Sequence, residues 1–308
     1  MVRVVSGVVV APEVEAALAA RRGVVALETT LVTHGLPHPE GLDTAALMDA
    51  AVREAGALPA TIGLLDGALR VGLTTAELDR LARTPEVAKL NLGNLAAHAA
   101  AGRSGSTTVA ATMLAAHQAG IEVFATGGIG GVHRDATTTD DVSADLTALA
   151  RFPVAVVCAG AKAVLDLRRT LERLETLGVP VYGLGTDAFP AFYRRDSGLP
   201  VDARFETAAE VAAAVRAHFR LELGTGVVVA NPIPPEHEMP AALYESALAR
   251  ALAEAEGTGV RGRAVTPFLL DRLRTLTEGQ SVFSNRALLL ANARAAGALS
   301  LALASDVA

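Results

Sequence analysis

The sequence predicts a layered α/β/α domain with a mixed central sheet. Short apolar segments with the character of buried strands alternate along the chain with longer amphipathic segments, which is the pattern of such layers. Asp66-Gly67 lies between two apolar segments and is a strong signal for a two-residue hairpin, which argues against an all-parallel sheet. No linker interrupts the alternation, so residues 1–308 are predicted to form a single domain.

The first half of the chain supplies the hairpin, three further predicted strands and three predicted helices. The capping-box pair Thr74 and Glu77 predicts the start of a helix that continues to about Arg83. The predicted strands are Val24–Leu27, Ala60–Leu65, Ala68–Val71, Val87–Leu90 and Glu122–Thr126, and the other predicted helices are residues 41–55 and 107–117.

The second half repeats the alternation. Ser143 is a predicted N-cap for a helix that continues to about Arg151. Strands are predicted at Val154–Cys158, Val181–Leu184 and Val227–Ala230, and helices at residues 163–177, 207–219, 236–254, 266–277 and 285–304.

Composition excludes several classes of protein. The net charge is −6 and there is no basic run, so a nucleic-acid platform has no support. Glycine, proline or charge interrupts the apolar runs before membrane-spanning length, and no secretion signal is apparent at the start. The one cysteine, Cys158, has apolar neighbours and is predicted to be a buried structural thiol. We therefore expect a cytoplasmic protein that binds small molecules.

The two lysines of the chain, Lys89 and Lys162, stand out against 25 arginines. Since arginine supplies almost all the positive charge, lysine is expected where a guanidinium cannot serve. Only an amine can lose its proton and act as a nucleophile, as a Schiff-base lysine does. The alternative is that two salt-bridged structural lysines remain by chance in an arginine-rich composition.

A glycine-rich loop follows the strand that ends at Thr126. It is not a dinucleotide fingerprint, because the pattern that starts at Gly128 requires a glycine where the chain has His133. Two interpretations stay open. The glycines let backbone N–H groups approach a phosphate or another polar ligand, or they only permit a tight structural turn.

Three carboxylates follow the glycine loop, at Asp140, Asp141 and Asp145. Oxygen ligands of this kind hold divalent cations, but acidic residues are also common in the first turn of a helix. His133 lies on a predicted loop in a polar setting. It is therefore a better candidate for a site residue than the histidines on predicted helices. Glu28, Thr126 and Lys162 each follow a predicted strand, so they are expected at the edge of the sheet where ligands bind.

At this point the chain resembles a known family, the pseudouridine-5′-phosphate glycosidases, also called the indigoidine synthase A-like family. The resemblance covers almost the whole chain and rests on eight segments. These are Ala26-Leu-Glu-Thr-Thr30 with His34-Gly-Leu-Pro37, Gly105-Ser-Thr-Thr-Val-Ala-Ala-Thr112, Ala125-Thr-Gly-Gly-Ile-Gly-Gly-Val-His-Arg134, Ser143-Ala-Asp-Leu146, Val157-Cys-Ala-Gly-Ala-Lys162, Thr186-Asp-Ala-Phe-Pro-Ala-Phe-Tyr193, Ala230-Asn-Pro-Ile-Pro234 and Thr266-Pro-Phe-Leu-Leu270.

The resemblance implies reversible cleavage of the C–C glycosidic bond that joins uracil to ribose 5-phosphate. By similarity, Lys162 is the nucleophile that attacks the anomeric carbon, opens the ribose ring and forms an iminium. Glu28 is then the acid that protonates the departing carbon. A pair of carboxylates alone would not serve, because the departing carbon has no lone pair to protonate.

The resemblance also implies the binding residues, a metal and an assembly. Asp141 matches a manganese-binding aspartate, so Mn²⁺ or a similar divalent cation is expected, and no organic cofactor. The fold implied is a three-layer α/β/α domain with a mixed sheet, usually assembled as a homotrimer. The residues that match or resemble substrate contacts are Lys89, Val109, Thr126, His133, Ser143, Ala144, Asp145 and Asn285.

Three segments depart from the usual pattern of the family. The chain has Lys89-Leu-Asn-Leu-Gly-Asn94 for Lys-x-Ser-Arg-Arg-Asp, Gly105-Ser-Thr-Thr108 for Gly-Gly-Thr-Thr, and Asn285-Arg-Ala-Leu-Leu-Leu-Ala-Asn292 for Asn-x-Ala-Leu-Val-Lys-Asn-Asn. One alternative is therefore a C-glycosynthase that joins ribose 5-phosphate to an aromatic acceptor in antibiotic biosynthesis, as in the alnumycin type. Another, of a different class, is a non-catalytic sugar-phosphate-binding protein.

Overall fold

A computed structural model describes residues 3–5, 7–260 and 265–305. Twelve strands lie within these ranges and belong to one sheet. They are β1 (Arg3–Val5), β2 (Val8–Val10), β3 (Val24–Leu27), β4 (Leu58–Leu65), β5 (Ala68–Val71), β6 (Ala88–Leu90), β7 (Gly105–Thr107), β8 (Val123–Ala125), β9 (Ala155–Cys158), β10 (Val181–Leu184), β11 (Ala203–Phe205) and β12 (Val227–Ala230).

Helices lie between these strands and after the last of them. A π-helical turn, Leu31–Gly35, follows β3, and a 3₁₀ turn, Pro235–His237, follows β12. The α-helices of the described residues are α1 (Pro12–Ala19), α2 (Glu40–Glu54), α3 (Thr75–Arg83), α4 (Leu95–Ala100), α5 (Val109–Ala119), α6 (Ala136–Thr139), α7 (Ala144–Leu149), α8 (Leu167–Thr176), α9 (Ala208–Arg220), α10 (Ala241–Gly257), α11 (Val265–Leu276) and α12 (Gln280–Ser305).

The centre of the sheet is parallel and its margin is mixed. Strands run in the order β4-β3-β8-β9-β12-β10-β11, and each pairs with its neighbours in parallel. β4 is the branch point, since Leu58–Thr61 pair in parallel with β3 while Ile62–Leu65 pair antiparallel with β5. The prediction of a mixed sheet is thus confirmed, and the hairpin at Asp66-Gly67 supplies one of the antiparallel pairs.

Helices cover the sheet as layers. α12 packs against β3, β8 and β9 and against helices α2 and α9, while α5 packs on β3, β4 and β5 beside α7. The central strands are buried along their length, as the burial of Val25, Phe124 and Val156 shows. A layered α/β/α arrangement with its core on the sheet was the predicted fold, and the structure confirms it.

Helix α12 corrects one prediction. By length and composition this helix is apolar enough to cross a membrane, although every apolar run was predicted to be interrupted before that length. Half of its most apolar 18-residue window is buried inside the fold. Burial against the sheet and two helices accounts for the apolar composition of a helix that lies in the protein core.

Several predicted boundaries were wrong for identifiable reasons. Thr107 was predicted to begin a helix but belongs to strand β7, and α5 begins only at Val109. The helix predicted from residue 163 begins at Leu167, because Asp166 caps it and the preceding residues pair with the glycine loop. The helix predicted from residue 236 begins at Ala241, after Pro240.

Candidate active site

The carboxyl ends of the parallel strands bring distant residues together. Glu28 follows β3, Thr126 follows β8 and Asn231 follows β12, and these strands are close neighbours in the sheet. Lys162 lies four residues after the end of β9. The convergence predicted from strand order is confirmed, and it places an acid and an amine at one edge of the sheet.

Two loops at this edge run side by side. The amide of Ile129 donates to the carbonyl of Gly160 at 3.0 Å, and the amide of Lys162 donates to the carbonyl of Ile129 at 3.0 Å. The amide of Asp166 donates to the carbonyl of Val132 at 2.9 Å. These bonds extend the pairing beyond the strands, so the backbone that carries Lys162 is fixed against the glycine loop.

The glycines of the loop make room for protein atoms. A Cβ on Gly128 would lie 2.7 Å from the ring of Phe192, and one on Gly131 would lie 2.3 Å from the Thr170 hydroxyl. A Cβ on Gly130 would lie 2.2 Å from the hydroxyl of Ser143. Close packing within the protein therefore explains these glycines.

Three loop amides distinguish between the two interpretations of the glycines. The amide of Gly130 donates to Asp145 Oδ2 at 2.8 Å, and the amide of Val132 donates to Thr170 Oγ1 at 3.0 Å. The amide of Ile129 is also taken, by the carbonyl of Gly160. These three N–H groups are satisfied inside the protein, so the interpretation of the glycines as a structural turn is correct for them.

A cavity at this edge collects both predicted catalytic residues and three of the eight predicted substrate contacts. Five of the predicted site residues line it, namely Glu28, Lys89, Thr126, Lys162 and Asn285. Its other walls are formed by Thr30, Leu31, His34, Gly35, Gly127, Gly128, Phe192, Leu270 and Leu289. The cavity thus combines an acid and two amines with an apolar side, as in a site that holds a polar sugar and a flat ring.

Glu28 is held by a chain of hydrogen bonds that reaches helix α12. Thr126 Oγ1 donates to Glu28 Oε1 at 2.5 Å, and the Thr126 carbonyl accepts from Asn292 Nδ2 at 2.8 Å. Asn292 is fully buried, and its Oδ1 accepts from Asn231 Nδ2 at 2.9 Å. One oxygen of Glu28 is therefore occupied, and a proton on the carboxyl group would reside on Oε2.

The amine of Lys89, in this cavity, has a perturbed pKa. Burial lowers the pKa of Lys89, and the nearby charge of Lys162 lowers it further, while the carboxylates of Glu28 and Asp145 act in the opposite direction. The four groups form one electrostatic cluster. A second anionic group, such as a phosphate, would offset the repulsion between two amines.

The N-terminus of α5 faces the strand that carries Lys89. The amide of Thr108 donates to the Leu90 carbonyl at 2.9 Å, and Lys89 lies opposite Ser106 in the pairing of β6 with β7. The Thr108 hydroxyl is buried and finds no partner among the described residues. Val109, the first residue of the helix, is fully buried. This helix end and Lys89 together favour an anion.

Asp145 is a structural tie between the helix and the glycine loop. It is 5% exposed, and its Oδ1 accepts from the Ala110 amide at 3.0 Å while Oδ2 accepts from Gly130. Ser143 accepts from the Asp145 amide at 3.2 Å, which confirms it as the N-cap of α7, and Ala144 is the first residue of that helix. None of these three residues lines the cavity that contains Lys162.

His133 and Asp141 lie apart from the cavity that contains Lys162. His133 Nδ1 is 3.9 Å from Asp141 Oδ2, and the His133 amide donates to the Asp141 carbonyl at 3.0 Å. His133 lines a different cavity, together with residues of the segment 134–139, Val164, Val260 and residues of α10 and α11. Among the described residues there is no group of three or more potential metal-ligating His, Cys, Asp or Glu side chains.

Comparison with known proteins agrees with this geometry. Residues 13–302 match the model of the family described as "Indigoidine synthase A like protein". The chain belongs to the indigoidine synthase A-like family.

Two curated relatives are named pseudouridine-5′-phosphate glycosidase. The one from Paracoccus denitrificans (strain Pd 1222) is 54% identical over 97% of this chain and 99% of its own. The one from Rhodospirillum centenum (strain ATCC 51521 / SW) is 59% identical over 95% and 91%.

Two solved structures of the indigoidine synthase A-like fold are similar to this chain. The prealnumycin C-glycosynthase AlnA, in complex with ribulose 5-phosphate, is 42% identical, with a TM-score of 0.90 and coverage of 96% of each chain. An indigoidine synthase A-like protein from Thermotoga maritima is 36% identical, with a TM-score of 0.85 and coverage of 92% of this chain and 94% of that one.

One segment that departs from the indigoidine synthase A-like pattern forms a turn of its own. The side chain of Asn94 accepts from the Asn91 amide at 2.8 Å and donates to the Lys89 carbonyl at 3.1 Å. The side chain of Asn91 accepts from the Gly93 amide at 2.9 Å. These asparagines stabilise the backbone after Lys89 and do not line the cavity that contains Lys162.

Six side chains of the cavity had no role assigned from the sequence: Thr30, Leu31, His34, Phe192, Leu270 and Leu289. His34, Phe192 and Leu270 lie in segments that carry the family resemblance, so that resemblance was the available signal. Burial lowers the pKa of His34 and the charge of Lys89 lowers it further, so its imidazole is neutral at pH 7. The apolar side chains were indistinguishable from core residues by sequence pattern.

Cys158 confirms its predicted structural role. The thiol is fully buried, and burial raises its pKa to about 12. A thiol of this kind carries almost no thiolate at neutral pH and is unreactive.

Proposed function

We propose that this chain is a pseudouridine-5′-phosphate glycosidase that reversibly cleaves the C–C bond between C1′ of ribose 5-phosphate and C5 of uracil. The observation that carries this proposal is that the carboxyl group of Glu28 and the amines of Lys162 and Lys89 line one cavity. Relatives 54% and 59% identical over almost their full length carry that name, and both are more similar to this chain than the C-glycosynthase structure is.

The arrangement supports a mechanism in which Lys162 is the nucleophile. Its free amine attacks C1′ and breaks the C1′–O4′ bond, and O4′ takes up a proton as the ring opens. The nitrogen lone pair then forms the C=N bond of an iminium as the bond from C1′ to uracil breaks. Glu28 delivers a proton to C5 of uracil, and water hydrolyses the iminium to release ribose 5-phosphate.

The remaining predicted contacts divide between the two ends of the substrate. Lys89, the buried Thr108 hydroxyl and the N-terminus of α5 at Val109 favour the phosphate. Thr126 orients Glu28, and Asn285 lies on the same cavity wall as Leu289 and Leu270. We assign this wall to the flat face of the base, because aliphatic side chains pack on ring faces while an amide can bind ring edges. Ser143, Ala144 and Asp145 do not line the cavity.

Reductive trapping tests the nucleophile. With ribose 5-phosphate and borohydride, the protein should gain one sugar phosphate, and peptide mapping should locate it at Lys162. The variant Lys162→Arg keeps the positive charge but cannot form an imine, so it should neither label nor turn over. Full activity of Lys162→Arg together with failure of the wild type to label would overturn the proposal.

A divalent cation such as Mn²⁺ is part of the proposal, and no organic cofactor is. The site fits a hard cation that keeps most of its waters, because one carboxylate, Asp141, is half-buried beside His133 and no larger ligand group surrounds it in the described ranges. The cation would order water molecules toward the sugar phosphate and would not bind it directly, because Asp141 does not line the cavity that contains Lys162. Asp141→Asn should therefore raise the KM for the sugar phosphate. Trapping at Lys162 in saturating ribose 5-phosphate should be affected less.

The assembly and the location of the protein also belong to the proposal. We expect a homotrimer in the cytoplasm, where its partners are a ribose 5-phosphate-containing molecule and an aglycone. Sedimentation equilibrium of the purified chain tests the assembly, since a monomer or dimer mass would contradict it.

Formation of a C–C bond to an aromatic acceptor is the second candidate function. It is favoured by the similarity to the prealnumycin C-glycosynthase AlnA and by the apolar wall at Phe192, Leu270 and Leu289. Assays with ribose 5-phosphate and Mn²⁺ should compare uracil with an aromatic acceptor. Faster coupling of the aromatic acceptor would favour the synthase. Stoichiometric binding of pseudouridine 5′-phosphate without turnover would instead favour a sugar-phosphate-binding protein.

A further inference from the structure

His34 lies at the junction of two cavities. It lines the cavity that contains Lys162, and it also lines a second, adjoining cavity between the π-helical turn, α11 and the start of α12. The π-helical turn Leu31–Gly35 places the histidine there, and single turns of this kind often occur at functional sites. The imidazole is half-buried.

One nitrogen of the imidazole is tied to the protein. His34 Nδ1 lies 2.7 Å from Thr33 Oγ1 and 3.4 Å from Ser106 Oγ. Nε2 forms no hydrogen bond with the part of the chain that the structure describes, and this atom is not sealed from solvent. The free nitrogen is therefore available to a ligand at the junction of the cavities.

The hydroxyl groups beside His34 fix the position of its proton. Thr33 Oγ1 donates to Ser106 Oγ at 2.7 Å, and Ser106 Oγ donates to the Ala88 carbonyl at 3.4 Å. A carbonyl can only accept, so the single proton of each hydroxyl is directed away from the imidazole. The same holds if Thr33 donates instead to the Thr29 carbonyl, which lies 3.5 Å away. With the hydroxyl protons so directed, the short contact with Thr33 is satisfied when Nδ1–H is the donor.

We propose that His34 is a substrate-recognition residue, held as the Nδ1–H tautomer by Thr33 and Ser106, whose Nε2 accepts a hydrogen bond from a hydroxyl group of the ribose phosphate. The inference rests on the proposed function for the identity of the ligand. The sugar is favoured over the base because His34 is close enough to Lys89 to sense its charge, and Lys89 belongs to the phosphate end. A neutral imidazole whose Nδ1 donates a hydrogen bond can only accept one at Nε2. It therefore favours a ligand group that donates a hydrogen bond and disfavours a group that can only accept one.

Nitrogen NMR tests the tautomer without any ligand. Protein labelled with ¹⁵N at its seven histidines should show the Nδ1–H pattern for the resonance that disappears in His34→Gln. In Thr33→Val, which keeps the shape and removes the hydroxyl, the same resonance should shift toward a mixture of tautomers. An Nε2–H pattern in the wild type would overturn the proposal.

A pair of substitutions tests the role of the free nitrogen. In His34→Gln the amide reaches the position of Nε2, whereas in His34→Asn it reaches that of Nδ1. By calorimetric titration, His34→Asn should bind ribose 5-phosphate about three- to tenfold more weakly than His34→Gln, as loss of one uncharged hydrogen bond implies. Equal affinities of two folded variants, or the reverse order, would overturn the proposal.

Two further measurements separate this inference from its premises. If only the KM for uracil differed between the two variants, the donor would belong to the base, and assignment to the sugar would be wrong. If wild-type Lys162 failed to trap ribose 5-phosphate while the affinity order held, the proposed chemistry would be wrong, but recognition by His34 would stand.

Discussion

The two edges of the parallel sheet both carry a cleft, but their chemistry differs. At the carboxyl edge, Glu28 and Lys162 come from different strands, and hydrogen bonds that span distant parts of the chain hold their surroundings. At the amino edge, an open cleft lies between the starts of β3 and β8 and the end of α12. Its charged residues are Arg21, Arg22 and Glu122, and all three are exposed.

Helix α12 reaches both clefts and makes the difference clear. Near its start, Asn285 lines the carboxyl-edge cavity, and Asn292 binds the backbone of the glycine loop. Near its end, Ser300 lines the other cleft, yet its hydroxyl donates to Gly297 of the same helix. A concave surface thus occurs at both edges, and only the convergence of buried polar groups from separate elements marks an active site.

The largest effect is expected when one acid at each edge is substituted and the two variants are compared. Glu28→Gln removes the proton donor to the departing carbon, so kcat for cleavage should fall by about 10²–10⁴-fold. The matched control, Glu122→Gln at the amino edge, should stay within about twofold of the wild type, as is usual for surface substitutions. Steady-state kinetics with pseudouridine 5′-phosphate gives both values. Similar losses in the two variants would remove the distinction between the edges.

The second effect compares the two halves of α12. Asn292→Leu leaves the buried Thr126 carbonyl without its donor, which should destabilise the fold by about 1–3 kcal/mol. It should also lower kcat by about tenfold to a hundredfold, because Thr126 no longer holds Glu28 in place. Ser300→Ala, the control, should cost less than about 1 kcal/mol and leave kcat unchanged.

Denaturant unfolding and kinetics separate the two contributions of Asn292. If Asn292→Leu lost stability but kept the wild-type kcat at a temperature where it is folded, Asn292 would have only a structural role. Combination with Thr126→Val offers a second check. If Asn292 acts through Thr126, the kcat loss in the double variant should be smaller than the product of the two single losses.

The third effect compares a buried cation with an exposed one. Lys89→Met should weaken binding of ribose 5-phosphate about tenfold, since it removes a charge-assisted contact with the phosphate. Arg22→Met at the amino edge should not change binding. Calorimetric titration measures both affinities, and equal losses would show that the charge of Lys89 acts only at long range.

The stability of Lys89→Met should move in the opposite direction. The pKa of Lys89 is lowered from its ordinary 10.5, so between the folded and unfolded values the unfolded chain binds more protons. Wild-type stability attributable to this group is therefore reduced at neutral pH and recovers as pH rises toward 10.5. Lys89→Met should be the more stable protein at pH 7, and its advantage should shrink with rising pH. A constant or growing advantage would contradict this sign.

Strand order and local patterns predicted more of the fold than of the site. β3 was predicted without error, and so was the hairpin after β4, because periodicity and turn chemistry are local. Strand order also placed Glu28 and Lys162 at one edge. The resemblance to a family, and not periodicity, supplied their chemical roles.

The contacts that complete the site could not be predicted because they join remote parts of the chain. Asn292 lies 166 residues from Thr126, whose carbonyl it binds, and no pattern around either residue indicates the pair. The choice between a ligand cradle and a structural turn for the glycines stayed open for a similar reason. The side chains that fill their space, such as Thr170 and Phe192, come from elements whose packing only the folded chain defines.

The smallest effect tests whether proximity to the carboxyl edge suffices for a role in catalysis. Cys158 ends strand β9, four residues before Lys162, but its side chain is fully buried in the core. Because burial raises the pKa of the thiol to about 12, a thiol reagent at pH 8 should label it only after unfolding in guanidinium. Cys158→Ala should keep kcat within about twofold and lose about 1 kcal/mol of stability, from the lost packing of one sulfur atom. Rapid labelling of the native protein with loss of activity would instead show that the thiol reaches the cavity, and the boundary between core and site at this edge would have to be redrawn.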